Sequence, residues 1–276
     1  MTEPKRAQLH LPGLFEFYEF YRVFLPLYRA HREYFYDWCE IASIYGAPEG
    51  CIWGGGRVCC GKQDPRAVLA VTQEYGLSAR LTFSNSLLTE AHLSDPACNA
   101  LCRLFSEPGG PQNGVIVHSD LLLDYLRTAY PRFYFVSSTT KVLTGFPQLR
   151  KELEREAFCF VVPDFRLNRA FEQLRTLPQS LKDSRKTLGE DAPHRCTAPG
   201  AADGYRFSRA MENLGFISAQ DIRTVYLPMG FTNFKLEGRG LGSAILLEFL
   251  LYYLTKPEHQ LHVREAIYLD AMLDLF

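Results

Sequence analysis

Hydrophobic and polar positions alternate most regularly over Phe231-Thr-Asn-Phe-Lys-Leu-Glu-Gly-Arg-Gly240. Phe234 and Leu236, with Thr232, fall on one side of a period-two register, and Asn233, Lys235 and Glu237 fall on the other. A strand points successive side chains to opposite faces, so the polar set shares one face. Gly238 and Gly240 end the strand, and the apolar run from Leu241 begins a helix. A lysine and a glutamate on a buried strand face are costly unless they are paired. Such a pair is easier to place at the mouth of a site than inside plain packing. An edge strand with one solvated face gives the same alternation.

Upstream, apolar runs alternate with amphipathic ones. Residues 14–32 read as an amphipathic helix. Strands are predicted over 37–46, 79–85, 114–120, 133–140 and 158–163. Helices are predicted between them, the one from Pro65 capped by Asp64 and the one from Pro96 capped by Asp95. Residues 178–205 form an irregular insertion whose best strand candidate, 186–189, is poor. Helices fill 241–275. Strand–helix alternation predicts an α/β fold with a parallel sheet, and near-continuous apolar strands fit a sheet covered on both faces. The strands end in polar residues: Ser84-Asn85, His118-Ser119-Asp120, Ser137-Ser138-Thr139 and Asp164. In a parallel barrel such tips converge on the ligand site. A doubly wound sheet would alternate in the same way, and no linker or repeat divides residues 1–276.

Composition narrows the function classes. A formal net charge of -1 supplies no basic field for nucleic acid. The apolar run 241–254 contains Glu248 and is too short to span a bilayer, so a soluble cytoplasmic protein with no membrane partner is expected. The eight cysteines of this chain read as reduced, mostly buried thiols, with Cys98 and Cys102 on one helix face. His10, His31, His259 and His262 lie in terminal segments and are expected at the surface.

Phe234-Lys-Leu-Glu-Gly-Arg239 resembles the FKIEGR signature of the collagenase-like peptidase U32 family. A weaker resemblance runs from about residue 36 to 256, through Tyr45-Gly46, Trp53-Gly-Gly-Gly-Arg57 and Val162-Pro-Asp-Phe-Arg-Leu-Asn168. The resemblance implies a TIM-like (β/α) barrel, incomplete or distorted where the later strands are poorly supported. The family label implies peptide hydrolysis. Cluster-bearing relatives instead carry out oxygen-independent hydroxylation, with an iron–sulfur centre held by four cysteines that include a C-x3-C pair. The matching place here is Ala192-Pro-His-Arg-Cys196, where Ala192 replaces one cysteine. The chain thus resembles a divergent member without the usual pair, and no cofactor is expected. Cys51, His194 and Cys196 stay as weak candidates for another metal site.

The candidate catalytic residues are Lys235, Glu237, His118 and Asp164. His118 sits at a strand tip, where an imidazole can serve acid–base chemistry or simply satisfy the core. The candidate substrate-binding residues are Tyr45, Arg57, Ser84, Asn85, Ser138, Arg166, Asn168 and Arg239. Arg166 can fork onto a carboxylate or phosphate, whereas Asp164 can equally cap the helix that follows. The cationic set favours a small or peptide-like anionic substrate over nucleic acid. Two functions follow: an enzyme acting at the strand tips, or a non-catalytic or partner-dependent subunit that has lost the family cluster. Some relatives work as paired homologous subunits, so a homo- or hetero-oligomer stays open.

Overall fold

The computed structural model describes residues 5–55, 61–183, 187–189, 207–213, 215–238 and 242–273. Its centre is one parallel sheet of eight strands in the order β6-β5-β4-β3-β2-β1-β8-β7. The strands are β1 (Ala7–Pro12), β2 (Cys39–Gly46), β3 (Ser78–Phe83), β4 (Gly114–Val117), β5 (Tyr134–Ser137), β6 (Phe160–Val161), β7 (Thr187–Gly189) and β8 (Asn233–Lys235). Helices α1 (Tyr18–Ala30), α2 (Pro65–Glu74), α3 (Glu90–Leu93), α4 (Pro96–Phe105), α5 (Asp120–Ala129) and α6 (Phe146–Leu153) alternate with the first six strands. The Asp-Pro starts behave as expected: Asp64 accepts from the Arg66 N–H and Asp95 from the Cys98 N–H. No helix among the described residues is long and apolar enough to cross a membrane.

The sheet curls into an open half-barrel. His10 on β1 and Phe160 on β6 have four strands between them, yet their ring centroids lie 5.7 Å apart. A flat sheet with its strands ~4.8 Å apart would hold them roughly 24 Å from each other. Arg80 on β3 likewise reaches the Phe160 ring, at 4.3 Å. Among the described residues the edge strands are β6 and β7, and the sheet does not close. This is the distorted α/β barrel that the sequence led one to expect.

The two faces divide the side chains by chemistry. Ala7, Leu9 and Leu11 of β1, Ala79, Leu81 and Phe83 of β3, and Phe234 of β8 join the convex core beneath the helices. On the concave face Tyr45, Ile116, Val136 and Val162 pack with Tyr134 and Phe160. A register shift between Leu9 and His10 skips Ala42, pairing Leu9 with Ile41 and His10 with Ser43. Such a bulge reverses the parity of the strand beyond it. It aims Ser43 at His10 on the concave face, although Cys39 and Ile41 pack on the convex one.

Strand β1 is the main difference from the sequence reading. Gln8 and His10 alternate with Leu9 and Leu11, but the run is short and ends in Pro12, so its pattern is easily taken for a loop. It sits centrally, paired with both β2 and β8. Proline is tolerated at its last position, where the ladder is ending. The poor candidate near 186–189 does form a strand, Thr187–Gly189, at the edge beside β8. Helix α1 begins four residues later than predicted and carries Pro26 internally.

Because Leu9 is fully buried between two strands, Leu9→Ala should lower unfolding free energy by about 2–5 kcal/mol. Denaturant titration checks this, and a loss below ~1 kcal/mol would contradict the central position of β1.

Candidate functional site

All strands run parallel, so their C-terminal ends face one way. Tyr45, Ser84, His118, Ser138, Asp164 and Glu237 each lie at or just beyond such an end. Below them, the concave face holds polar groups that sequence reading did not single out.

The first is His10, expected at the surface but 1% exposed. One ring nitrogen is 2.7 Å from the Ser43 hydroxyl and the other 3.1 Å from the Asn233 side-chain oxygen. An amide oxygen only accepts, so Nε2 carries the proton and Nδ1 accepts from Ser43. This neutral form is fully satisfied. Burial holds the imidazole well below its ordinary value, and the cations Arg80 and Lys235 act in the same direction.

The second is Arg80, 2% exposed. Its guanidinium lies 4.3 Å from the centre of the Phe160 ring and 5.3 Å from that of Tyr134, and its Nε donates to the Tyr134 hydroxyl at 2.7 Å. Among the described residues no carboxylate pairs with it. One strand position above, the buried Thr82 hydroxyl has no hydrogen-bond partner among the described residues. The signal for both was present in Ala79-Arg-Leu-Thr-Phe83, which alternates as strictly as the β8 stretch.

Lys235 and Glu237 form a buried ion pair, Lys235 Nζ donating to Glu237 Oε1. The ammonium lies 4.6 Å from the centre of the Tyr45 ring. Tyr45 reaches over β1 from β2, and its hydroxyl donates to the Leu236 carbonyl at 2.6 Å. Aromatic face, cation and carboxylate are thus held together by the backbone of β8.

A string of hydroxyls lines the tips of β3 to β5. His118 Nδ1 is 2.7 Å from the Thr140 hydroxyl, which is 2.9 Å from Ser138, which is 3.1 Å from Ser84. Burial lowers the His118 value and the Lys141 ammonium lowers it further, against Asp120. Lys141 is itself bound to Glu152 at 2.6 Å, and Glu152 also accepts from Ser137 at 2.5 Å.

The remaining predicted residues take structural partners. Asp164 accepts from the Arg166 backbone N–H, capping the short helix that follows, and pairs with the Arg166 guanidinium at 3.1 Å. Asn168 is fully buried and donates to the Gly215 carbonyl, tying two loops together. Asn85 donates to the Ile52 carbonyl and accepts from the Leu87 N–H. In the Gly-rich loop, Gly55 has φ +71°, and a Cβ there would meet the Asn85 Cα at 3.0 Å, so its close approach is to protein backbone. Arg57, Arg239, His194 and Cys196 lie outside the described residues. Cys51 contacts Cys98, with their Sγ atoms 3.5 Å apart. Among the described residues no three histidine, cysteine or carboxylate side chains converge on one point. Cys39 lies elsewhere, against the Tyr253 carbonyl, and Cys159 is exposed. The described thiols therefore do not supply the four converging ligands that an iron–sulfur cluster needs.

No family model and no curated protein matches this chain. Among solved structures it is similar to the U32 peptidase Mk0906, with a TM-score of 0.50 and 13% identity, covering 86% of this chain and 95% of that one. At that identity the likeness establishes a U32-like fold.

The electrostatics of His10 predict a pH response. Its folded value lies below the unfolded value of about 6.5. The unfolded chain therefore takes up the proton first, and stability present above pH ~6.5 is lost as pH falls. Each such histidine contributes a slope of at most about 1.4 kcal/mol per pH unit. His10→Gln should flatten the decline between pH 6.5 and 5 by up to that slope, read from denaturant midpoints. Parallel curves for the variant and the parent would refute a neutral buried His10.

Proposed function

We propose that the chain binds a small or peptide-like anionic substrate against the concave face of its half-barrel, Arg80 holding the anion and Lys235–Glu237 standing at the reacting end. The observation that carries this reading is Arg80, a cation buried in the sheet with aromatic walls and no carboxylate partner among the described residues. With Lys235 balanced by Glu237 and His10 neutral, these four groups carry one excess positive charge. Burying an uncompensated charge costs several kcal/mol, which an anionic ligand would offset. A guanidinium presents a planar fork that suits a carboxylate or phosphate.

The chemistry that the U32-like fold suggests is hydrolysis of a peptide bond, with Glu237 and His118 as the groups able to move protons. A second reading, a non-catalytic or partner-dependent subunit, has its own support. Lys235 and Glu237 satisfy each other as a structural ion pair would. Binding without turnover would favour it.

The reading is tested by thermal melts of wild type and Arg80→Met with acetate, inorganic phosphate and an N-acetylated dipeptide as probes. Wild type should gain stability with at least one anion, about 2.7 kcal/mol at a hundredfold excess over Kd. Arg80→Met should melt at or above the unliganded wild type and lose that gain. A destabilised variant beside a wild type that no anion stabilises would overturn the proposal.

Lys235→Met and Glu237→Gln separate the two readings of the ion pair. If the pair is only structural, either change should cost about 3–5 kcal/mol and leave binding intact. If the pair serves the ligand, stability should change little while binding or turnover is lost.

A further inference from the structure

Cys51 and Cys98 form a second chemical cluster, away from the concave face. Cys51 lies in the loop after β2, and Cys98 in the first turn of α4. Both thiols are free and their sulfurs are 3.5 Å apart, already in contact. The two sulfurs share a hydrogen bond, and the Gly54 and Trp53 backbone N–H groups also act on the Cys51 sulfur. Together they draw the Cys51 thiol below its ordinary value against the effect of burial. The same contact pushes Cys98 up.

Access distinguishes this pair from the other buried cysteines. Cys51 and Cys98 line a cavity of about 430 Å³ whose wall includes Glu49, Asp64, Arg66 and Leu101. A volume of that size accommodates a small organic molecule. Cys39 is instead fully buried against the Tyr253 carbonyl and its thiol is pushed up to about 12. Cys102 is also fully buried, and burial raises its thiol. Thiol–disulfide exchange needs a sulfur that the reagent can reach and a second sulfur nearby to resolve it; Cys51 lines the cavity and Cys98 lies 3.5 Å from it.

We propose that Cys51 and Cys98 are a redox-active dithiol that closes to an intrachain disulfide when a small organic disulfide of the glutathione type enters the cavity. Cys51 Sγ attacks one sulfur of the entering disulfide, whose S–S bond breaks and releases one thiolate. Cys98 Sγ then attacks Cys51 Sγ in the mixed disulfide and expels the second thiolate. The two protons of the protein thiols end on the two released thiols. The small disulfide is reduced by two electrons and the protein pair is oxidised by two. Closure draws the β2–α2 loop toward α4. That loop also holds Asn85 at the tip of β3, through the Ile52 and Trp53 carbonyls, so the bond forms beside the barrel mouth.

The test is a peptide map of wild-type protein treated with oxidised glutathione, alkylated in denaturant and digested without reductant. Expected is a Cys51–Cys98 cross-linked peptide pair that dithiothreitol dissolves, with Cys39 and Cys102 alkylated. Cys98→Ser should instead accumulate a glutathione adduct on Cys51, and Cys51→Ser should give neither product. Alkylation of both Cys51 and Cys98 in treated wild type would overturn the proposal. So would a bond from Cys51 to Cys59 or Cys60. Should a serine variant fail to fold, the wild-type map decides alone.

Discussion

Curling the sheet until β1 faces β6 buries His10, Arg80 and Lys235 on its concave face, and Arg80 is the group that makes this expensive. A packed TIM barrel fills that space with branched aliphatic side chains. Here Ile116, Val136 and Val162 supply only part of the filling. His10, Arg80, Lys235 and Glu237 stand among them, all buried. Each has a distinct solution to desolvation. The histidine gives up its charge and hydrogen-bonds both nitrogens. Lysine and glutamate neutralise each other. The arginine rests on two aromatic rings and one hydroxyl, a weaker compensation than a carboxylate.

The protonation of His10 depends on this arrangement. A charged imidazole would sit near two cations and would turn a satisfied acceptor, Nδ1, into a donor facing a hydroxyl that has to reorient. The interior thus selects against positive charge on the histidine while retaining it on the arginine, whose guanidinium does not deprotonate in proteins. That retained charge is what the proposed anion would offset.

Much of the framework was legible in the chain. Strands β2 to β5 and β8, the capped helices α2 and α4, and the polar strand tips follow from alternation and from Asp-Pro starts. Strand β1 was not, because six residues ending in Pro12 carry too little pattern to be told from a loop, and its neighbours in the sheet come from residues 39–46 and 233–235. The concave position of Ser43 was hidden for another reason. The bulge at Ala42 breaks the period on which face assignment rests, and bulges leave no mark in this sequence. Arg80 was legible in principle, since it alternates with Ala79 and Leu81. What the sequence could not reveal was that no carboxylate among the described residues pairs with it.

The claim that this face is an anion site is tested most directly by a bromide soak of crystals with anomalous diffraction. The account predicts a bromide peak within contact distance of the Arg80 guanidinium, inside the half-barrel, and none at His10. An Arg80 guanidinium closed off by a carboxylate of the chain itself, with no bromide beside it, would contradict the account.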